Sequence, residues 1–185
     1  MKKLDEMIQL FETANHSFLN DDYELFYSDV SEPTLCGALN IHIDRIINKN
    51  DDYQGYHADV EYNRNNRKIK TILNDRFQVT NIKCDLILHS RGHYPIQDNL
   101  IAIEMKKSYR SIEEKIKDRN RLRALTKDSF DDVGSFDGKT LPQHVCRYVL
   151  GVYYEINYAH KTILIEYYAK GNIIKEYMID LRTIL

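Results

Sequence analysis

Two short apolar runs, Lys83-Cys84-Asp85-Leu86-Ile87-Leu88 and Leu100-Ile101-Ala102-Ile103-Glu104-Met105-Lys106, each carry one carboxylate, and eleven residues separate them. Runs of this length and composition read as buried strands, and the gap reads as a hairpin connection. If Leu88 and Ile101 pair across the turn, the antiparallel register sets Ile87 against Ala102 and Asp85 against Glu104. Directly opposed side chains lie about 4.5–5.5 Å apart at Cβ, and two like charges so placed destabilise a sheet unless something positive sits between them. A divalent cation is the simplest such partner. Lys106, two residues beyond Glu104, falls on the same face. Met105 points the other way, but its backbone carbonyl is a further oxygen donor. Oxygen-only ligation suits Mg²⁺ or Mn²⁺, and a lysine beside such an ion can orient or deprotonate a water.

The chain of 185 residues is long enough for one well-filled core, and a single domain spanning 1–185 is expected. No apolar run approaches membrane-spanning length and the N-terminus lacks the apolar stretch of a signal peptide, so the expected location is the cytoplasm, with no membrane partner. Cys36, Cys84 and Cys146 are widely spaced with no C-x-x-C pair, which argues against a disulfide framework or a structural zinc site and for buried, reduced thiols. Charge is unevenly spread: Lys and Arg against Asp and Glu give −8 for residues 1–59, +8 for 60–127 and −2 for 128–185. The basic third holds the paired carboxylates, as a site for a phosphate backbone would require, although part of the excess is accounted for by a solvated helix face.

Residues 3–19 place Leu4, Met7, Ile8, Leu10, Phe11, Ala14 and Phe18 at helical spacing. Ser31-Glu32-Pro33 opens a second helix through Leu35, Leu39, Ile43, Ile46 and Ile47. Glu32 in its first turn either complements the helix dipole or adds an acid to the metal centre. Residues 48–55 read as polar loop, 56–62 as a strand, and 65–83 as a basic loop with a short strand around Phe77-Gln78-Val79. Ser111-Ile112-Glu113-Glu114 has capping-box spacing and opens a helix to about Thr126, whose basic residues spread around it. Residues 128–142 read as loop; strands follow at 147–156, 161–169 and 173–179, with a turn at Lys170-Gly171-Asn172. Their tyrosines could stack bases, but half-buried packing is the commoner use.

A Glu-x-Lys triplet alone is a weak signal. In this company it resembles the PD-(D/E)XK nuclease superfamily, over roughly residues 31–127. The resemblance is closest to small stand-alone members with a helix-borne Glu, an E-Y-N-R strand, an acidic strand followed by H-x-R-G, an N-L-x-x-I-E-x-K-K-S strand, and an Asp followed by a basic-Leu stretch. Here these are Glu32; Glu61-Tyr62-Asn63-Arg64; Asp85 with His89-Ser90-Arg91-Gly92; Asn99-Leu100 through Glu104-Met105-Lys106-Lys107-Ser108; and Asp118 with Arg121-Leu122. Cys84 stands where the family has Pro, and Pro33 follows Glu32 where a basic residue is frequent. The resemblance implies an α/β, restriction-endonuclease-like fold, a mixed central sheet flanked by helices on both faces. It implies metal ligation by Asp85, Glu104 and the Met105 carbonyl, with Glu32 supporting the site or a second ion. Lys106 is then expected to position or activate the attacking water.

The expected activity is Mg²⁺- or Mn²⁺-dependent hydrolysis of nucleic acid, DNA favoured, with phosphate contacts from Arg64, His89, Arg91, Lys107 and Arg110. A homodimer or a partner subunit is left open. His89 and His93 lack the companions of a zinc site, and no dyad supports nucleophilic catalysis through Cys84 or a serine. The rival reading is a catalytically inactive nuclease-fold module that binds nucleic acid or a protein; retention of both acids and the lysine argues against it, because unused buried charges are costly.

Overall fold

The structure, a computed structural model, describes the side chains of residues 1–62, 84–128 and 146–184, together with the backbone of four short strands between 62 and 84. The elements are α1 (Leu4–Asp21), α2 (Glu32–Ile47), β1 (His57–Val60), β2 (Arg64–Asn65), β3 (Lys68–Ile69), β4 (Thr71–Leu73), β5 (Val79–Asn81), β6 (Leu86–His89), β7 (Asn99–Lys107), α3 (Ile112–Thr126), β8 (Leu150–Asn157), β9 (Thr162–Ala169) and β10 (Asn172–Asp180). Six of the strands form one mixed sheet in the order β1-β6-β7-β8-β9-β10; β2-β3 and β4-β5 are separate two-stranded ribbons. The sheet is antiparallel except between β7 and β8, where α3 supplies the crossover that a parallel pair requires.

The predicted hairpin register is observed: Leu86, Ile87 and Leu88 of β6 pair with Ile103, Ala102 and Ile101 of β7, and a bulge follows at His89. Alternation along β7 then sorts the side chains. Ile101, Ile103 and Met105 join Leu86, Leu88, Val152 and Tyr154 in the core covered by α1 and α2. Ala102 and its face partners Ile87, Tyr153 and Tyr168 pack under Leu122 and Leu125 of α3. Helices therefore cover both faces, and period two commits Glu104 and Lys106 to the α3 side.

The helices start where their caps lie. The Ser31 hydroxyl accepts from Thr34 N–H at the head of α2, and the Ser111 hydroxyl accepts from Glu114 N–H at the head of α3. Two strands are shorter than their composition predicts. Pairing in β1 covers only 57–60 because Glu61 takes φ 54°, and β8 begins at Leu150 rather than at 147 because Arg147 takes φ 65°. Left-handed backbone cannot continue a strand. The polar stretch at 48–55 contains a 3-10 turn at Asp51–Tyr53, and Pro95–Gln97 forms another in the hairpin connection. Of the short strand expected around 77–79, residues 77 and 78 lie outside the described residues, and Val79 opens β5. Cys36, Cys84 and Cys146 are buried and, among the described residues, none forms a disulfide. Tyr148, Tyr153, Tyr154, Tyr167 and Tyr168 are buried packing residues. Among the described residues no helix is long and apolar enough to cross a membrane.

Candidate acidic centre on the third helix side of the sheet

Strand β7 runs past the start of β6, so among the described residues no strand pairs with the β6-side edge of its far end. Ser108 N–H donates to Ile156 O on β8, which fixes the even-numbered N–H groups of this stretch toward β8 and the odd-numbered ones toward the open edge. Two carboxylates meet those odd-numbered groups. Asp85 Oδ2 accepts Met105 N–H at 2.8 Å, and Glu32 Oε1 accepts Lys107 N–H at 3.0 Å. The two N–H groups are roughly 7 Å apart along the strand. In extended chain a residue's N–H and C=O point to the same edge, so the Met105 carbonyl lies between the two acids. The paired register ends at Leu86 and Ile103; Asp85 stands just before β6, where its carboxylate turns to the Met105 N–H.

Glu104 is only 1% exposed, and its carboxylate receives Arg121 from α3, with Nη1 2.7 Å from Oε1. The same guanidinium nitrogen stands 3.3 Å from Asp118 Oδ1, one turn earlier on α3. Asp118 Oδ2 lies 3.0 Å from Lys106 Nζ, which is also 3.8 Å from Glu32 Oε2. Arg110 reaches Glu32 Oε1 with Nε at 3.3 Å. Four acids thus gather around three cations. Burial pushes the Glu104 carboxyl up to about 8, with the charges of Asp85 and Asp118 adding to it and Arg121 opposing. Burial also raises the pKa of Asp85, against the Met105 hydrogen bond and Lys106. Burial disfavours charge on Lys106, but Asp118 and Glu32 more than offset it and raise its pKa. Below the acids, Cys36 packs its sulfur 3.8 Å from that of Met105, and burial raises its thiol pKa strongly.

The structure therefore brings together Asp85, Glu104, Lys106, the Met105 carbonyl and Glu32. Glu32 does more than complement a helix dipole: it fastens α2 to β7. These carboxylates and the carbonyl are the oxygen donors available to a hard divalent ion. Among the described residues, however, no three His, Cys, Asp or Glu side chains converge as a metal-holding group.

The expected phosphate-contact residues fare differently. Lys107 points to the opposite face from Lys106, where its ammonium is buried and held by Asp29 Oδ1 at 2.9 Å. His89 is likewise buried, with Nε2 2.9 Å from Asp59 Oδ2, so its place is to order the turn. Arg91 makes two bonds to the same Asp59 carboxylate while staying half-exposed. Burial works against the Asp59 charge, yet His89 and Arg91 together hold its pKa well below the usual carboxylate range. His89 and Arg91 sit at the far end of β6 from Asp85, about 13 Å or more along the strand. Arg110 is the exposed member beside the acidic centre. The Arg64 side chain and Asn63 lie outside the described residues.

Two participants had no role assigned from sequence, Asp118 and Arg121. Asp118 carried a usable signal, since it shares the buried stripe of α3 with Leu122 and Leu125 and is an acid in an apolar row. Arg121 entered only through the motif that sets Arg121-Leu122 after Asp118, with no role attached. In comparisons with known proteins, no family model, no curated protein and no solved structure matches this chain.

Proposed function

We infer that this chain is a metal-dependent nuclease with a restriction-endonuclease-like arrangement, hydrolysing phosphodiester bonds, DNA favoured. The observation that carries the reading is the juxtaposition on one strand end of Asp85, Glu104, the Met105 carbonyl and Lys106, with Glu32 alongside. The donor set fits a hard divalent ion. It is all oxygen, and the charges of Asp85 and Asp118 add to the burial that raises the Glu104 pKa. Asp85, Glu104 and the Met105 carbonyl would hold one ion, with Glu32 in reach of a second. When bound, such an ion neutralises charge on a phosphoryl oxygen and lowers the pKa of a nearby water.

The protein's own part is orientation. Asp118 and Glu32, the nearest carboxylates, keep the Lys106 ammonium charged, which suits it to aligning a water and a phosphate oxygen rather than to removing a proton. Arg110, exposed and adjacent, is placed to meet a substrate phosphate. Sequence discrimination is not built into any of these contacts.

The second reading, a nuclease-fold binding module without the chemistry, is favoured by one observation: Arg121 and Lys106 already neutralise Glu104 and Asp118, so the acids can persist without an ion. A cleavage panel of labelled single- and double-stranded DNA and RNA, with Mg²⁺ or Mn²⁺, separates the two. Wild type should cut at least one substrate, and Lys106→Met, which keeps the stem and deletes the charge, should bind nucleic acid within a few-fold yet cut about a hundredfold more slowly or worse. No cleavage of any substrate would hand the protein to the binding-module reading. Wild-type rates in Lys106→Met would remove the lysine from the mechanism.

A further inference from the structure

Arg121 and Arg119 are neighbours on α3 that meet carboxylates in different ways. Arg119 grips Glu166 through both Nε and Nη2, and its guanidinium stacks 4.0 Å over the Tyr153 ring. That is a fixed structural tie, bidentate and backed by an aromatic face. Arg121 instead reaches Glu104 with a single nitrogen, and it shares that nitrogen with Asp118 on its own helix. An i,i+3 partner needs no backbone motion to keep. Arg121 can therefore leave Glu104 and remain paired. Asp118 is arranged for this, because its two oxygens serve two cations, Oδ2 for Lys106 and Oδ1 for Arg121. The carboxylate Arg121 would vacate is the buried one on which the charges of Asp85 and Asp118 bear.

We propose that Arg121 is a tethered counter-ion that occupies the acidic centre in place of a divalent cation and withdraws onto Asp118 when one binds. This rests on the metal-site reading above and adds its regulation. Two cations cannot both sit against the Glu104 carboxylate without strong repulsion, so their occupancies are linked: whatever Arg121 contributes to the metal-free fold is subtracted from metal affinity. Withdrawal also turns the guanidinium from a structural partner into a cation at the mouth of the site, where a substrate phosphate can take up its free donors.

The test uses the full-length chain and Mn²⁺ alone, with no substrate. Calorimetric titration of Arg121→Gln should show Mn²⁺ binding about tenfold tighter than wild type or better, the effect of deleting one competing charge. Its melting temperature without metal should fall, and Mn²⁺ should restore it. A second measurement needs no variant. In wild type, an arginine-directed dicarbonyl reagent followed by peptide mass spectrometry should label Arg121 several-fold faster in saturating Mn²⁺ than without it, while labelling of Arg119 stays unchanged. Mn²⁺ binding to Arg121→Gln but not to wild type also supports the proposal. Binding to both with equal affinity, or labelling that does not rise, overturns the counter-ion while leaving the metal site standing. No Mn²⁺ binding by either protein overturns the metal site and the proposal with it.

Discussion

Glu104 is the residue on which the acidic centre turns, and its protonation makes a measurable claim about stability. Burial raises its pKa in the folded chain to about 8, against 4.5 for the ordinary group, with Arg121 pulling the other way. Between those values the folded state holds more protons than the unfolded state, so stability declines as pH rises through the window. Below 4.5 both states are protonated and there is no penalty; above about 8 the penalty is complete. Without divalent ions, urea denaturation should therefore show wild type losing more stability than Glu104→Gln between those two pH values. Parallel curves would mean that Arg121 keeps Glu104 ionised throughout. At this scale the acids and Lys106 were legible because charge inside an apolar strand is conspicuous. The part Arg121 plays was not, because five basic residues spread around α3 and only the packing of that helix selects the one that reaches Glu104. The pairing also weakens the argument from the cost of unused buried charge, since these acids do not stand uncompensated.

Helix α3 is held at the distance the site needs by one residue of the sheet beneath it. A Cβ at Gly151 would lie 3.0 Å from Thr126 Cγ2 and 3.1 Å from Tyr168 Cβ, with Leu122 Cδ2 at 3.4 Å. Thr126 and Tyr168 would have to shift by a few tenths of an ångström to admit it. Gly151→Val should cost about 1–3 kcal/mol in urea denaturation through overpacking. It should also lift Asp118 and Arg121 away from Glu104 and Lys106. Unchanged stability would show that the helix can ride outward freely. Element positions were legible where the chemistry is local. Ser31 and Ser111 announced their helices, and the turn at Lys170 and Gly171 takes the left-handed φ values a tight hairpin demands. What periodicity cannot give is which strands adjoin. The parallel β7–β8 pair depends on α3 crossing over, and the early ends of β1 and β8 depend on the strained backbone of Glu61 and Arg147, ordinary residues in the sequence.

Across the whole molecule, the basic middle third is the part with the excess of positive charge, and among its described residues much of that charge is already paired. Arg91, Lys106, Lys107, Lys115, Arg119 and Arg121 each pair with an acid. Binding to nucleic acid in Ca²⁺ should consequently be moderate and weaken with rising salt, the mark of phosphate contacts. Arg110→Glu should weaken it alike for unrelated sequences, whereas reversing Lys107 would break its tie to Asp29 and damage the fold first. Binding indifferent to salt would rule out a phosphate-led mode. The open end of β7 has a further consequence. An unpaired row of N–H groups on a strand is an invitation to any extended chain, including another copy of the same protein, to add itself to the sheet. Here Asp85 and Glu32 have taken those donors, and an incoming strand would have to evict both while bringing its own carbonyls up against their charge. The residues that gather acidity at the centre therefore also seal this margin of the sheet against accretion, and losing them endangers solubility as well as chemistry.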